Sequence, residues 1–142
     1  MMENKNRIIQ GAGVHHIAVQ ARDWEQSRHF YEDILGMPYV TTVETPSEKF
    51  AFFDIGNGSY IELFHPNAAT PAPGSHAAND PVTHFALTTI NLHEVIERVR
   101  SANYTITVEP FSIIIGSWDT EVAFFEGPNG ESIELFQVNR TI

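Results

Sequence analysis

The chain has 142 residues with 18 acidic and 8 basic side chains, a formal net charge of −10 and no cysteine. The length suits one domain with a sizeable core, and the acidic balance argues against nucleic-acid or anionic-membrane partners. The missing thiols exclude disulfides, thiolate nucleophiles and thiolate metal sites.

No apolar run reaches the length of a membrane-spanning helix. The first ten residues are polar and lack the apolar centre of a signal peptide, so a cytoplasmic location is the default expectation. Any anionic ligand needs a few local cations, for which Arg22, Arg28, Lys49, Arg98 and Arg100 are the candidates.

Residues 1–13 read as an N-terminal tail. Residues 14–20 (VHHIAVQ) alternate and are β-branched, which predicts a strand. Asp23 is an expected N-cap for a helix over 24–35, whose apolar positions Trp24, Phe30, Tyr31, Ile34 and Leu35 form one stripe. Gly36 suits its stop and Pro38 prevents resumption. Strands are expected at 39–44, 50–55 and 59–64, the last two joined at Asn57-Gly58, a strong hairpin signal. Residues 66–81 hold four prolines and no apolar period, and read as a linker.

The order then restarts. Residues 82–88 predict a strand, and Asn91 is expected to cap a helix over 92–102 that buries Leu92, Val95, Ile96, Val99 and Ala102. Strands follow at 105–109, 121–126 and 132–138. The stretch 111–119 (FSIIIGSWD) reads as an interruption, a loop over a site. The chain therefore divides into a βαβββ module over 14–65, a linker over 66–81 and a second βαβββ module over 82–139, an α+β class. Neither module alone has enough apolar faces to close a core. Their strands either curve into one sheet or are exchanged between two chains.

The two modules are copies. Residues 51–64 (AFFDIGNGSYIELF) align without gaps on 123–136 (AFFEGPNGESIELF), and nine of the 14 positions are identical. At an offset of 68, His16-Ile17-Ala18-Val19 also aligns on His84-Phe85-Ala86-Leu87, which selects His16 over His15. Side chains alternate along a strand, so Glu62 lies opposite Ile61 and Leu63, and Glu134 opposite Ile133 and Leu135. Each module thus offers one His from its first strand and one Glu from its last. Two imidazoles and two carboxylates suit a divalent cation: Zn, Ni, Co, Mn or Fe(II). A six-coordinate ion would keep two positions for water or a chelating substrate. His15, His29, His65, His76 and His93 have no repeat partner and read as surface or structural residues.

The segments VHHIAVQARDWEQSRHFYEDILGM, GSYIELF, THFALT and GPNGESIELF resemble the vicinal oxygen chelate superfamily, which includes glyoxalase I, methylmalonyl-CoA epimerase, extradiol dioxygenases and the fosfomycin and bleomycin resistance proteins. The resemblance implies paired βαβββ units forming an incomplete, curved mixed barrel around a metal, with helices outside. It also implies metal ligands at His16, Glu62, His84 and Glu134, and Glu134 or Glu62 as the catalytic proton carrier. Four such ligands resemble the glyoxalase I branch most closely. The implied activity is that of a lyase or isomerase acting on a small oxygen-chelating substrate, such as a 2-oxoaldehyde–thiol hemithioacetal, through a metal-bound enediolate. The alternatives are a non-catalytic protein sequestering a drug-like or aromatic ligand, and an Fe(II) extradiol-type dioxygenase. A homodimer is the expected assembly.

Overall fold

The computed structural model describes residues 6–8, 10, 13–66 and 84–142. The expected linker after residue 66, and His76 within it, lie outside the described residues.

In the first half, β1 (His16–Gln20) leads to α1 (Trp24–Arg28), which widens into a π-type helical turn over His29–Ile34. The Asp23 side chain accepts from the Gln26 N–H at 3.0 Å, so the expected cap forms. Gly36 adopts φ +71°, a left-handed stop that a Cβ disfavours. Strands β2 (Tyr39–Glu44), β3 (Glu48–Gly56) and β4 (Ser59–Pro66) follow. Asn57 and Gly58 both take positive φ, as the tight β3–β4 turn requires.

The second half repeats this order with β5 (Phe85–Thr88), α2 (Leu92–Ser101), β6 (Ile106–Ile115), β7 (Trp118–Glu126) and β8 (Ser132–Thr141). Two expectations are corrected here. Residues 111–119 are not a loop: β6 runs on to Ile115, turns at Gly116 with φ +61°, and re-enters β7 at Trp118. The apolar run pairs as a hairpin, with Phe111 opposite Val122 and Ile113 opposite Thr120. The Asn91 side chain makes no capping bond. It is held by Thr89 and Glu94, while the Leu92 N–H donates to Gln137 Oε1 at 3.0 Å.

The strands form two four-stranded mixed sheets, ordered β1-β4-β3-β2 and β5-β8-β7-β6, with no closed barrel. In each, the first strand lies parallel to the last and the remaining pairs are antiparallel. One face of both sheets builds a single core. Ala51, Phe53, Ile61 and Leu63 from the first half join Ala123, Phe125, Ile133 and Leu135 from the second, with Phe30, Tyr31, Leu92, Ile96 and Val99 of the helical segments. The helices therefore cover the faces opposite Glu62 and Glu134.

A polar clamp ties the halves together. The Tyr31 hydroxyl donates to Glu131 at 2.8 Å, and the Asn129 N–H donates to the same carboxylate at 2.6 Å. Asn129 also accepts from the Arg22 N–H at 2.7 Å and bonds to the buried Ser27 hydroxyl. Tyr31→Phe removes one charge-assisted bond and is expected to cost about 1.5–3 kcal/mol in urea unfolding. Burial, reinforced by Glu131, pushes the Tyr31 phenol well above its ordinary value of 10.0. Its neutral form is thus favoured in the fold. The stabilisation is complete below pH 10 and is lost as pH rises through the higher folded value. Melts between pH 9 and 11 should show a shallower alkaline loss in Tyr31→Phe than in the parent.

Candidate metal centre

Glu62 is the fourth of eight residues in β4, a strand held between β1 and β3. Its register partners are Ala18 and Phe52. Glu134 occupies the equivalent place in β8, between Ala86 and Phe124. The register is identical in the two halves: each acid lies between two neighbouring strands, beside a small residue on one side and an aromatic on the other.

His16 opens β1 and His84 immediately precedes β5. His16 Nε2 stands 3.8 Å from Glu62 Oε2, and His84 Nε2 stands 3.1 Å from Glu134 Oε1. The acids are the more enclosed members, with side chains 21% and 13% exposed against 40% and 39% for the histidines. Two ligands about 2.1 Å from one cation at right angles stand about 3 Å apart, so a His–Glu couple of this span suits a shared divalent ion. The four expected residues are thus brought together as two couples. Among the described residues no group of three or more His, Asp or Glu side chains is arranged to hold one metal ion. Both couples lie on faces turned away from the core that joins the halves.

Aromatic rings surround the couples. Phe52 stands edge-on to His16 at 5.5 Å between centroids, and Phe124 edge-on to His84 at 5.3 Å. Sequence reasoning set His15 aside, yet its Nδ1 lies 3.0 Å from His16 Nδ1 and its ring packs on Tyr60 at 5.2 Å. Consecutive strand residues normally diverge, but His15 precedes β1 and escapes that alternation. The remaining described histidines serve local structure: His29 pairs with Asp33, His65 Nδ1 lies 3.0 Å from the Ala21 carbonyl, and His93 pairs with Glu121.

The five cation candidates lie apart from both couples. Arg28 is paired with Glu25 and Glu32, and Arg98 donates to the carbonyls of Asp33 and Ile34. Arg100 pairs with Glu97 and Glu109, and holds the Glu109 carboxyl below its ordinary range. Lys49 stands 4.2 Å over the Trp24 ring. Arg22 lies in the turn between β1 and α1, its backbone N–H bound to Asn129. A small cleft between the halves, lined by Leu35, Met37, Ile55, Leu87, Val95 and Leu135 among others, contains no ionisable side chain. It belongs to the seam between the modules. No described helix is long and apolar enough to cross a membrane.

The sequence model of the Glyoxalase/Bleomycin resistance protein/Dioxygenase superfamily matches residues 13–135. The chain is 31% identical over 127 residues to a lactoylglutathione lyase of Salmonella typhimurium, covering 86% of this chain and 90% of that one. It is 30% identical over 129 residues to a probable lactoylglutathione lyase of Synechocystis sp., covering 87% and 94%. Two solved structures share the fold. They are SMU.1112c, at TM-score 0.72 and 18% identity over 89% of this chain and 99% of that one, and the trypanothione-dependent glyoxalase I of Leishmania major, at TM-score 0.69 and 21% identity over 89% and 86%.

Proposed function

The chain belongs to the Glyoxalase/Bleomycin resistance protein/Dioxygenase superfamily, and on that premise we propose that it is a divalent-metal-dependent lyase or isomerase of glyoxalase I type. Its substrate class is a small oxygen-chelating compound such as a 2-oxoaldehyde–thiol hemithioacetal. One observation carries the reading: each of the duplicated sheets holds a His–Glu couple, with both acids at the same register and on the face away from the core.

His16, Glu62, His84 and Glu134 would hold the cation. Two neutral imidazoles and two carboxylates balance the charge of a divalent ion and match borderline metals. Such an ion supplies Lewis acidity to adjacent substrate oxygens. The chain itself supplies the proton carrier. Glu134 or Glu62 accepts the proton from the carbon next to the carbonyl and returns it to the neighbouring carbon. Phe52 and Phe124 flank the two carboxylates in register and would limit water at them.

Because each couple faces away from the shared core, a four-ligand centre needs two copies. The His16–Glu62 face of one copy would meet the His84–Glu134 face of the other. The protein is then a homodimer with two equivalent centres, each copy giving half of its donors to each.

Protein loaded with Ni²⁺ or Zn²⁺ should retain about one cation per chain after desalting, as two four-ligand centres per dimer require, and should isomerise 2-oxoaldehyde hemithioacetals. A gently purified sample that takes up neither metal would refute the reading. The aromatic rings around the couples favour one rival, a binding protein that sequesters an aromatic ligand without turnover. In that case Glu62→Gln and Glu134→Gln leave ligand affinity nearly unchanged.

A further inference from the structure

We infer that the site selects an uncharged substrate with an extended apolar or aromatic body, rather than one that carries its own carboxylates. This rests on the proposed metal centre and specifies what the centre acts on. The register carries the face of Glu134 outward along β8 to Phe136 and Val138, and across β7 to Phe124, Val122 and Thr120. Their partners on β6 are Phe111 and Ile113, and Trp118 closes the strip with its ring 6.0 Å from Phe136.

Val122 and Thr120 are buried at the centre of this strip, the Thr120 hydroxyl bound to the Ile113 carbonyl, and the larger apolar side chains around them form its open surface. Phe111, Ile113, Trp118 and Val138 are each 41–47% exposed. It begins at the His84–Glu134 couple and runs along the β6–β7 hairpin, so a molecule whose oxygens sit at the couple would lay its body along the strip. The corresponding first-half face offers Phe52, Phe50 and Val43 in register beside Glu62.

Charge selects the class of that body. None of the strand residues named on either face is a lysine or arginine, and residues 67–83 contain none. Arg28 and Arg100 pair with acids elsewhere, Arg98 is bound to backbone carbonyls, and Arg140, at the far end of β8, is paired with Asp119 beside Trp118. A substrate carboxylate laid on the strip would lose its hydration and gain no counter-ion, within a chain whose net charge of −10 already repels anions. An aromatic body meets edge-on ring contacts and buries its surface instead.

Two rigid hydroxamates test the inference on metal-loaded protein of measured cation content: biphenyl-4-carbohydroxamic acid and its 4′-carboxy analogue. Calorimetric titration should show the uncharged probe binding at least about tenfold more tightly, roughly the effect of one poorly placed charge. Trp118→Ala should weaken that probe at least about threefold with cation content unchanged. Val138→Lys, which places a cation on the strip, should narrow or reverse the preference.

Equal or tighter binding of the carboxylated probe overturns the inference, as does failure of both probes to bind the loaded protein. Trp118→Ala that dissociates the dimer but leaves probe affinity intact assigns the strip to a second copy, and also overturns it. Protein that takes up no cation refutes the metal reading separately. The preference is then read from biphenyl against biphenyl-4-carboxylate on that protein, with equal affinities counting against it.

Discussion

Glu134→Gln is expected to lower kcat/KM for hemithioacetal isomerisation by about 10²–10⁴-fold, the usual range for a positioned proton carrier. The substitution keeps the shape of the side chain. It leaves β8 in place, because that strand is paired on both sides. What it removes is the negative charge 3.1 Å from His84 and the oxygen able to accept a proton. A carboxylate that is both ligand and base would lose metal affinity and turnover together. The assay therefore belongs at saturating metal, where a residual kcat deficit reports proton transfer alone. Glu62→Gln is the matched control, since its side chain has the same register and is somewhat more open. The acid whose loss leaves the larger deficit in kcat is the base. Parent-like turnover in both variants contradicts the mechanism and favours the binding-protein reading.

Phe30→Ala should destabilise the protein by about 3–5 kcal/mol, as for other buried Phe truncations. That is a large part of the 5–15 kcal/mol typical of a domain. Phe30 is fully buried on the first helical segment, yet its ring contacts Tyr104 at 4.6 Å and Phe125 at 6.3 Å in the second half. The cavity would open between the modules, where neither can collapse onto it alone. Urea unfolding should remain a single transition with a lowered midpoint, because one core serves both halves. A loss below about 1 kcal/mol, or a second-half transition left at its original midpoint, would show that the modules are stable independently.

The duplication was the legible part of this chain. Local chemistry is printed in the sequence: Asp23 caps, Gly36 stops, Asn57-Gly58 turns, and the structure uses each as expected. The alternation in the repeated strands also put Glu62 and Glu134 opposite the core, and the register agrees. Two features escaped because they depend on residues far apart. Asn91 looks like a cap, but Gln137, 45 positions away, binds the helix N-terminus. Ser27, Tyr31, Asn129 and Glu131 clamp the modules over about a hundred residues of separation, and nothing local marks any of them. The stretch 111–119 read as an interruption, yet Phe111, Ile113 and Ile115 pair with Val122, Thr120 and Trp118 on the face of Glu134, and only Gly116 hinted at the turn. How the four proposed donors would meet lies beyond one chain's local pattern, since each couple is made within its module while both modules share one core.

Subunit complementation tests that assembly most directly. One variant carries His16→Ala and Glu62→Ala, the other His84→Ala and Glu134→Ala. Each alone should be inactive. After mixing under conditions that exchange subunits, half of the dimers are hybrids, and each hybrid holds one centre with all four donors intact. Activity should return to roughly a quarter of the parent value, with cation retention recovering in proportion. Mixed variants that form hybrids yet stay inactive and metal-free would contradict a centre shared between two copies.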